Sequence, residues 1–336
     1  MTSGSVKSSE MTCVEICAGA GGQALGLEQA GFGHRAVVEI DPNACETLRI
    51  NRGTRWKIIE GDVADVDGLE FRGADLLAGG VPCPPFSVAG HQLGAADERD
   101  LFPEALRLAA EIGPRAVLLE NVRGLATARF DGYRAQVAAH LLDLGYRTWW
   151  RLIQASDHGV PQLRPRLVLV AIRQPWAASF RWPAPSGINP PTVGQSLSDL
   201  MAADGWSGAP GWAARASGIA PTIVGGSRKH GGPDLGPTRA RAAWRQLGVD
   251  GLGIADAAPS QSCPAEASPR LTTRMVARLQ GFPDTWQFAG RKTAAYRQVG
   301  NAFPPPVARA VGVAIAAALS AAGSRTAEIS GEARWL

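Results

Sequence analysis

Between Thr12 and Ile172 the chain alternates short, mostly apolar runs with longer segments whose apolar residues recur at helical spacing. The short runs Thr12–Cys17, Arg35–Ile40, Trp56–Ile59, Ala74–Ala78, Arg115–Glu120, Tyr146–Ile153 and Arg166–Ile172 predict strands. The segments Gln23–Ala30, Pro42–Asn51, Leu101–Ile112 and Tyr133–Leu144 predict helices. Strands alternating with helices imply an α/β fold with a doubly wound, mostly parallel sheet, because parallel neighbours need a crossover element between them. From about Pro183 to Pro269 the period is lost and Gly, Pro, Trp, Ser and Arg dominate. A smaller, irregular second domain fits this stretch. A disordered insertion is the alternative, against which stand Trp206, Trp212 and Trp244, since disordered segments are poor in aromatics. A helix of small residues, Pro306–Ala322, closes the pattern. The expected division is 11–180, 181–285 and a returning segment 286–322, with flexible tails at 1–10 and 323–336.

With 336 residues the chain suits two domains, or one with an insertion. A hydrophobic share of 45% and a charged share of 19% give material for an ordinary core. The net charge of +4 permits a polyanionic partner without requiring one. Arginine far outnumbers lysine, which favours forked contacts to phosphates or base edges. The five cysteines, Cys13, Cys17, Cys45, Cys83 and Cys263, lack metal-ligand spacing, so no metal site is expected. The first ten residues are polar and no uninterrupted apolar run is long enough to cross a bilayer. The expectation is a cytoplasmic protein with free thiols and no membrane.

Four blocks carry candidate chemistry. Pro82–Cys83–Pro84 places a thiol on a stiff loop just beyond a strand, where open α/β sheets put their ligands. The run that follows, through Ser87, Gln92 and Arg99, is either a closing loop or plain surface. Cys17–Ala18–Gly19–Ala20–Gly21–Gly22 joins the first strand to a helix, where glycines let a ligand approach the backbone and free N–H groups face it. Glu39 and Ile40 end the second strand, and Gly61–Asp62–Val63 follows the third. Two acids at strand ends favour an adenosine-containing cofactor, although dinucleotide sites share the glycine pattern. Glu120–Asn121–Val122 ends an apolar strand with a carboxylate, which is costly unless it has a task or an ion-pair partner. In Gln162–Leu163–Arg164–Pro165–Arg166 two guanidiniums share one face of an extended chain and suit phosphate or a carbonyl-rich ligand, unless that edge is solvated.

In this order, and continuing through Arg270–Arg274, Arg278–Pro283 and Gln298–Pro306, the blocks resemble the DNA (cytosine-5) methyltransferases of bacterial restriction–modification type. The resemblance implies the S-adenosylmethionine-dependent methyltransferase fold with a smaller, irregular target-recognition domain. It implies that Cys83 adds to cytosine C6, that Glu120 engages N3 and the exocyclic amine, and that Arg164 and Arg166 hold the base. It implies an S-adenosyl-L-methionine pocket built from Cys17, Ala18, Gly19, Gly21, Gly22, Glu39, Ile40, Asp62, Val63, Pro82, Asn301 and Ala302. Double-stranded DNA is the implied partner, with Ser87, Gln92, Arg99, Thr222, Arg228 and Lys229 as candidate contacts. A monomer, close to the nucleoid and accompanied by a restriction endonuclease, fits that family. The chain departs from the family pattern at Cys17, where phenylalanine is usual, at Met275 in place of a glutamate, and at Phe303 within the Gly–Asn block. A same-fold tRNA cytosine-5 methyltransferase and a catalytically silent DNA-binding regulator remain the alternatives.

Overall fold

The computed structural model of the protein describes residues 11–82, 100–225 and 233–332. The seven expected strands form one sheet: β1 (Met11–Ile16), β2 (Phe32–Glu39), β3 (Ile58–Glu60), β4 (Leu76–Gly79), β5 (Ala116–Val122), β6 (Tyr146–Gln154) and β7 (Pro165–Arg173). Their order is β3-β2-β1-β4-β5-β7-β6. The first five run parallel, whereas β7 runs antiparallel to both β5 and β6. The order reverses between β1 and β4, so the carboxyl ends of these strands open a crevice for a ligand.

The helices of this half are α1 (Gly22–Gln29), α2 (Pro42–Arg52), α3 (Phe102–Ile112) and α4 (Asp131–Asp143). Alternation along β5 sorts side chains between the two faces. Val117 and Leu119 pack with Phe102, Leu108 and Leu141 of α3 and α4. Ala116 and Leu118 pack on the opposite face with Val307, Val311 and Ile315. Those last three belong to α10 (Pro305–Glu332), which crosses α1 closely. A Cβ on Gly26 would sit 2.4 Å from the Pro305 carbonyl oxygen, so glycine sets that approach.

Within Lys292–Ala321 one window is long and apolar enough by composition to cross a bilayer, although Arg297 and Arg309 interrupt the stretch, in keeping with the expectation of no uninterrupted apolar run. In the fold the stretch includes α9 (Lys292–Asn301) and most of α10, and Val307, Val311 and Ile315 of α10 sit in the core beside the sheet while Val313 is exposed.

Residues 181–285 carry more helix than the irregular sequence predicts. They contribute α5 (Val193–Ala202), α6 (Ala209–Arg215), α7 (Thr238–Gln246) and α8 (Thr273–Leu279). These helices have seven to ten residues, too few for a clear apolar period. Local chemistry starts two of them: Thr192 accepts from the Gln195 amide while Gln195 accepts from the Thr192 amide, and Thr272 caps the Met275 amide. Trp206, Trp212 and Trp244 are buried, and Trp206 and Trp212 donate to the Pro264 and Gly248 carbonyls. Their cluster continues through Trp286 and Tyr296 to Leu25, Leu48 and Trp56 of the sheet half.

Candidate active site

A cavity of about 690 Å³ lies at the carboxyl ends of β1, β2, β3 and β4. Cys17, Ala18 and Gly19 form one wall, Glu39 and Ile40 a second, and Asp62 and Val63 a third. Gly80, Pro82 and Glu120 close the side toward β5, while Asn301, Ala302 and Phe303 approach from the end of α9. The turn after β1 is tight: Cys17 has φ 51° and Gly19 φ 54°. A Cβ on Gly19 would meet no protein atom within 4 Å, so space is left beside that backbone.

The Glu39 carboxylate accepts from the Gly19 amide at 2.6 Å and from the Ile40 and Asp41 amides at 2.9 and 2.8 Å. It thereby fixes the glycine turn against the end of β2. Asp62 spends one oxygen capping the Ala64 amide at 3.0 Å. Burial, with Glu39 and Asp62 nearby, pushes the Cys17 thiol up to about 12, so it remains neutral. A cavity of this size with a bare glycine turn and carboxylates at two strand ends fits an adenosine carrying an amino-acid arm.

Glu120 stands at the end of β5, buried, with Arg166 Nε 2.7 Å from its Oε1. Its Oε2 would lie 3.5 Å from a Cβ placed on Gly80. Burial pushes its carboxyl above the usual carboxylate range, and Arg166 and Arg164 pull partly back. Asn121 donates to the Val81 carbonyl at 2.8 Å and so ties β5 to the strand end leading to Cys83. Further along, the Leu101 amide donates to the Pro82 carbonyl at 3.2 Å. Cys83, Ser87, Gln92 and Arg99 lie outside the described residues, as do Arg228 and Lys229.

A second cavity, about 870 Å³, lies between the ends of β5 and β7 and the segment Thr222–Gly225. Arg123, Arg166 and Arg241 line it, together with Asp234, Thr222 and Asn301. Thr222 reaches it while its hydroxyl donates to the Leu163 carbonyl. Asn301 borders both cavities.

Three of the predicted site residues line neither cavity, Arg164 among them. It is fully buried and donates to the carbonyls of Ile223, of Gly300 at 2.7 Å and of Ala302 at 3.0 Å. It precedes β7, so strict strand alternation does not apply, and its guanidinium is taken up by these carbonyls while Arg166 pairs with Glu120. Gly21 and Gly22 do not line the cofactor-shaped cavity either. A Cβ on Gly21 would come within 2.7 Å of Leu48, and one on Gly22 within 2.4 Å of the Phe303 carbonyl oxygen. Both glycines serve helix packing.

The sequence reading missed Gln23, Asp41, Arg297 and Gln298 in the first cavity and Arg123, Asp234 and Arg241 in the second. Arg123 directly follows Glu120–Asn121–Val122, and Arg297 lies four residues before Asn301, so proximity to a motif was the available signal. Of the departures, Cys17 and Phe303 line the first cavity, and Met275 is a buried residue of α8.

The family described as C-5 cytosine-specific DNA methylase matches residues 11–317. The type II methyltransferase M.NaeI of Lentzea aerocolonigenes is 61% identical over 92% of this chain and 76% of its own. M.NgoMIV of Neisseria gonorrhoeae is 52% identical over 92% of this chain and 98% of its own. A crystal structure of a DNA modification methyltransferase encoded within an E. coli prophage superposes with a TM-score of 0.65. It has 22% identity and covers 92% of this chain and 99% of that one, and it speaks to the fold alone. On this family match and these relatives, the chain belongs to the C-5 cytosine-specific DNA methylases and is a DNA (cytosine-5)-methyltransferase of the type II restriction–modification kind.

Proposed function

We propose that the protein uses S-adenosyl-L-methionine to methylate C5 of a cytosine flipped out of a specific double-stranded DNA sequence, through a covalent Cys83–C6 adduct. The observation that carries this reading is the placement of Glu120. A buried carboxyl with a raised pKa lines the cofactor-shaped cavity beside Gly80 and Pro82, the approach to Cys83. S-adenosylmethionine, when bound, supplies a methyl group on a positively charged sulfur. Cys17, Ala18, Gly19, Glu39, Ile40, Asp62, Val63, Pro82, Asn301 and Ala302 would hold it.

Cytosine C5 is a weak nucleophile because the ring is aromatic. The Cys83 thiolate adds to C6 and makes C5 electron-rich; once C5 carries the methyl group, a base takes the C5 proton, the C6–S bond breaks, and the ring regains its aromaticity with Cys83 released. Glu120 delivers a proton to N3 as charge gathers on the ring, for which a raised pKa suits it. Arg166 holds Glu120 in place from the DNA-side cavity. A paired base does not offer C6 to a thiol, so the nucleotide has to leave the duplex, at a cost of a few kcal/mol. Arg123 and Arg241 line the second cavity where the sugar-phosphate of such a nucleotide would lie, and their charge would offset part of that cost.

Residues 181–285 would act as the target-recognition region, with 11–180 and 286–322 as the catalytic part. We assign the protein to the cytoplasm, as a monomer working beside a companion endonuclease.

The deciding experiment uses duplex DNA of random sequence carrying 5-fluorocytosine. Fluorine at C5 cannot leave as a proton, so the parent protein with S-adenosylmethionine should form an adduct stable to denaturation. Cys83→Ser should form none. An equally stable adduct from Cys83→Ser would overturn the assignment of the nucleophile.

A further inference from the structure

Asn301 stands in the wall between the two cavities, and the backbone packed against it has no side chain. A Cβ on Gly225 would fall 2.0 Å from Asn301 Oδ1 and 3.1 Å from the Arg297 carbonyl oxygen. The approach is mutual: a Cβ on Gly300 would fall 2.5 Å from the Gly225 Cα and 2.6 Å from its nitrogen. Two glycines from segments far apart in sequence thus lie backbone to backbone, beside the asparagine that faces both sites.

Buried hydrogen bonds lock this contact on both sides. Arg164 donates to Ile223 on the DNA-side segment and to Gly300 and Ala302 on the cofactor-side turn. Gln162 accepts from the Ile223 amide at 2.9 Å and donates to the Gln280 side chain, which itself donates to Val299 at 2.9 Å and Ala302 at 3.1 Å. Gln162, Arg164 and Gln280 are all fully buried. Asn301 itself is exposed, so a shift of Ile223–Gly225 reaches it through the backbone: the buried bonds and the close Gly225–Gly300 approach tie this segment to the turn that carries Asn301.

We infer that Gly225 is a positioning residue, and that the Gly225–Asn301 contact couples occupancy of the DNA-side cavity to occupancy of the cofactor cavity. DNA seated against Thr222–Gly225 fixes Asn301 where the cofactor meets it, and the cofactor seated on Asn301 fixes the segment that meets DNA. This rests on the reading of the first cavity as the cofactor site. Linkage makes the effect reciprocal: each ligand raises the affinity of the other by the same factor.

The test measures binding of S-adenosylhomocysteine by calorimetry, with and without a duplex carrying the methylated sequence, and of that duplex with and without S-adenosylhomocysteine. In the parent both ratios should be equal and clearly above one, on the order of fivefold or more. Gly225→Ala should weaken S-adenosylhomocysteine binding about tenfold in the absence of DNA, equivalent to ~1.4 kcal/mol. It should also bring the ratio down toward one. In the Asn301→Ala background, which removes the oxygen that the new methyl group would strike, Gly225→Ala should cost less than about twofold, a non-additivity expected only of touching residues. Asn301→Ala alone should abolish the ratio even where Gly225→Ala does not fold. A parent ratio of one, or an equal cost of Gly225→Ala in both backgrounds, overturns the coupling while leaving the cofactor site standing. A parent that binds no S-adenosylhomocysteine overturns the cofactor reading, and the coupling with it.

Discussion

Replacing Arg164 by methionine separates a structural arginine from one that holds the substrate. The guanidinium supplies donors to three backbone carbonyls, of Ile223, Gly300 and Ala302, and its side chain is fully enclosed. Each buried acceptor left without a donor costs about 1–3 kcal/mol. Two effects act the other way: methionine fills much of the same volume, and the variant no longer desolvates a charge. The charge is fully enclosed and poorly solvated, and this burial pushes the Arg164 pKa down. The net loss should be about 3–5 kcal/mol, the usual cost of removing one partner from a buried charged network. At about 2 °C per kcal/mol for a large domain, Tm should fall by ~6–10 °C. Arg164→Lys keeps the charge but not the fork, and should fall between parent and Arg164→Met. Thermal unfolding followed by circular dichroism measures all three. An Arg164→Met protein that melts within about 2 °C of the parent yet transfers no methyl group would refute the reasoning, because its arginine would then act on the substrate.

Glu120→Gln keeps the shape of the acid but not its proton, so single-turnover methyl transfer should fall about 10²-fold or more, with DNA affinity nearly unchanged. A fall of only a few-fold would make Glu120 structural. The same variant reports the raised pKa through stability. A carboxyl whose folded pKa is raised favours folding below its unfolded pKa, and that contribution is lost as pH rises through the folded value. The parent should therefore lose urea stability relative to Glu120→Gln as pH climbs above about 4.3, the ordinary glutamate value. A flat difference would contradict the burial argument. Alanine at both Arg123 and Arg241 should lower the salt slope of DNA binding by up to about two units, at ~0.9 per phosphate contact, without changing which sequence is methylated. An unchanged slope measured by fluorescence anisotropy would remove them from the phosphate contacts.

The sheet was legible because its strands are short apolar runs between turn residues, and burial then enforces alternation. Val117 and Leu119 face α3 and α4 while Ala116 and Leu118 face α10, so one strand serves two cores. The antiparallel placement of β7 was less legible: its run is as apolar as β5, and apolar pattern alone carries no strand direction. Residues 181–285 hid their helices for a related reason. A seven-residue helix such as Ala209–Arg215 has two turns, and its one deeply buried aromatic, Trp212, sets no period. The tryptophans did announce a packed core, though not its continuity with α1 and α2.

At the site, residue type was readable and orientation was not. Arg164 and Arg166 are two positions apart, and an extended chain would send both to the same ligand. In the fold only Arg166 meets Glu120, at 2.7 Å, while Arg164 crosses to carbonyls more than fifty residues away in sequence. The glycines divide in the same way: Gly19 leaves open space beside the cavity, whereas Gly21 and Gly22 exist to let Leu48 and the Phe303 carbonyl come close. A motif therefore mixes residues that touch ligand with residues that hold the touching ones in place, and spacing alone does not sort them. Steric room does. Where an added Cβ would meet nothing and the glycine also lines a cavity, as at Gly19, the missing side chain leaves space for a ligand. Where it would strike another segment, as Gly225 would strike Asn301, the missing side chain brings two parts of the protein into register, and its replacement should be felt at both sites that Asn301 borders.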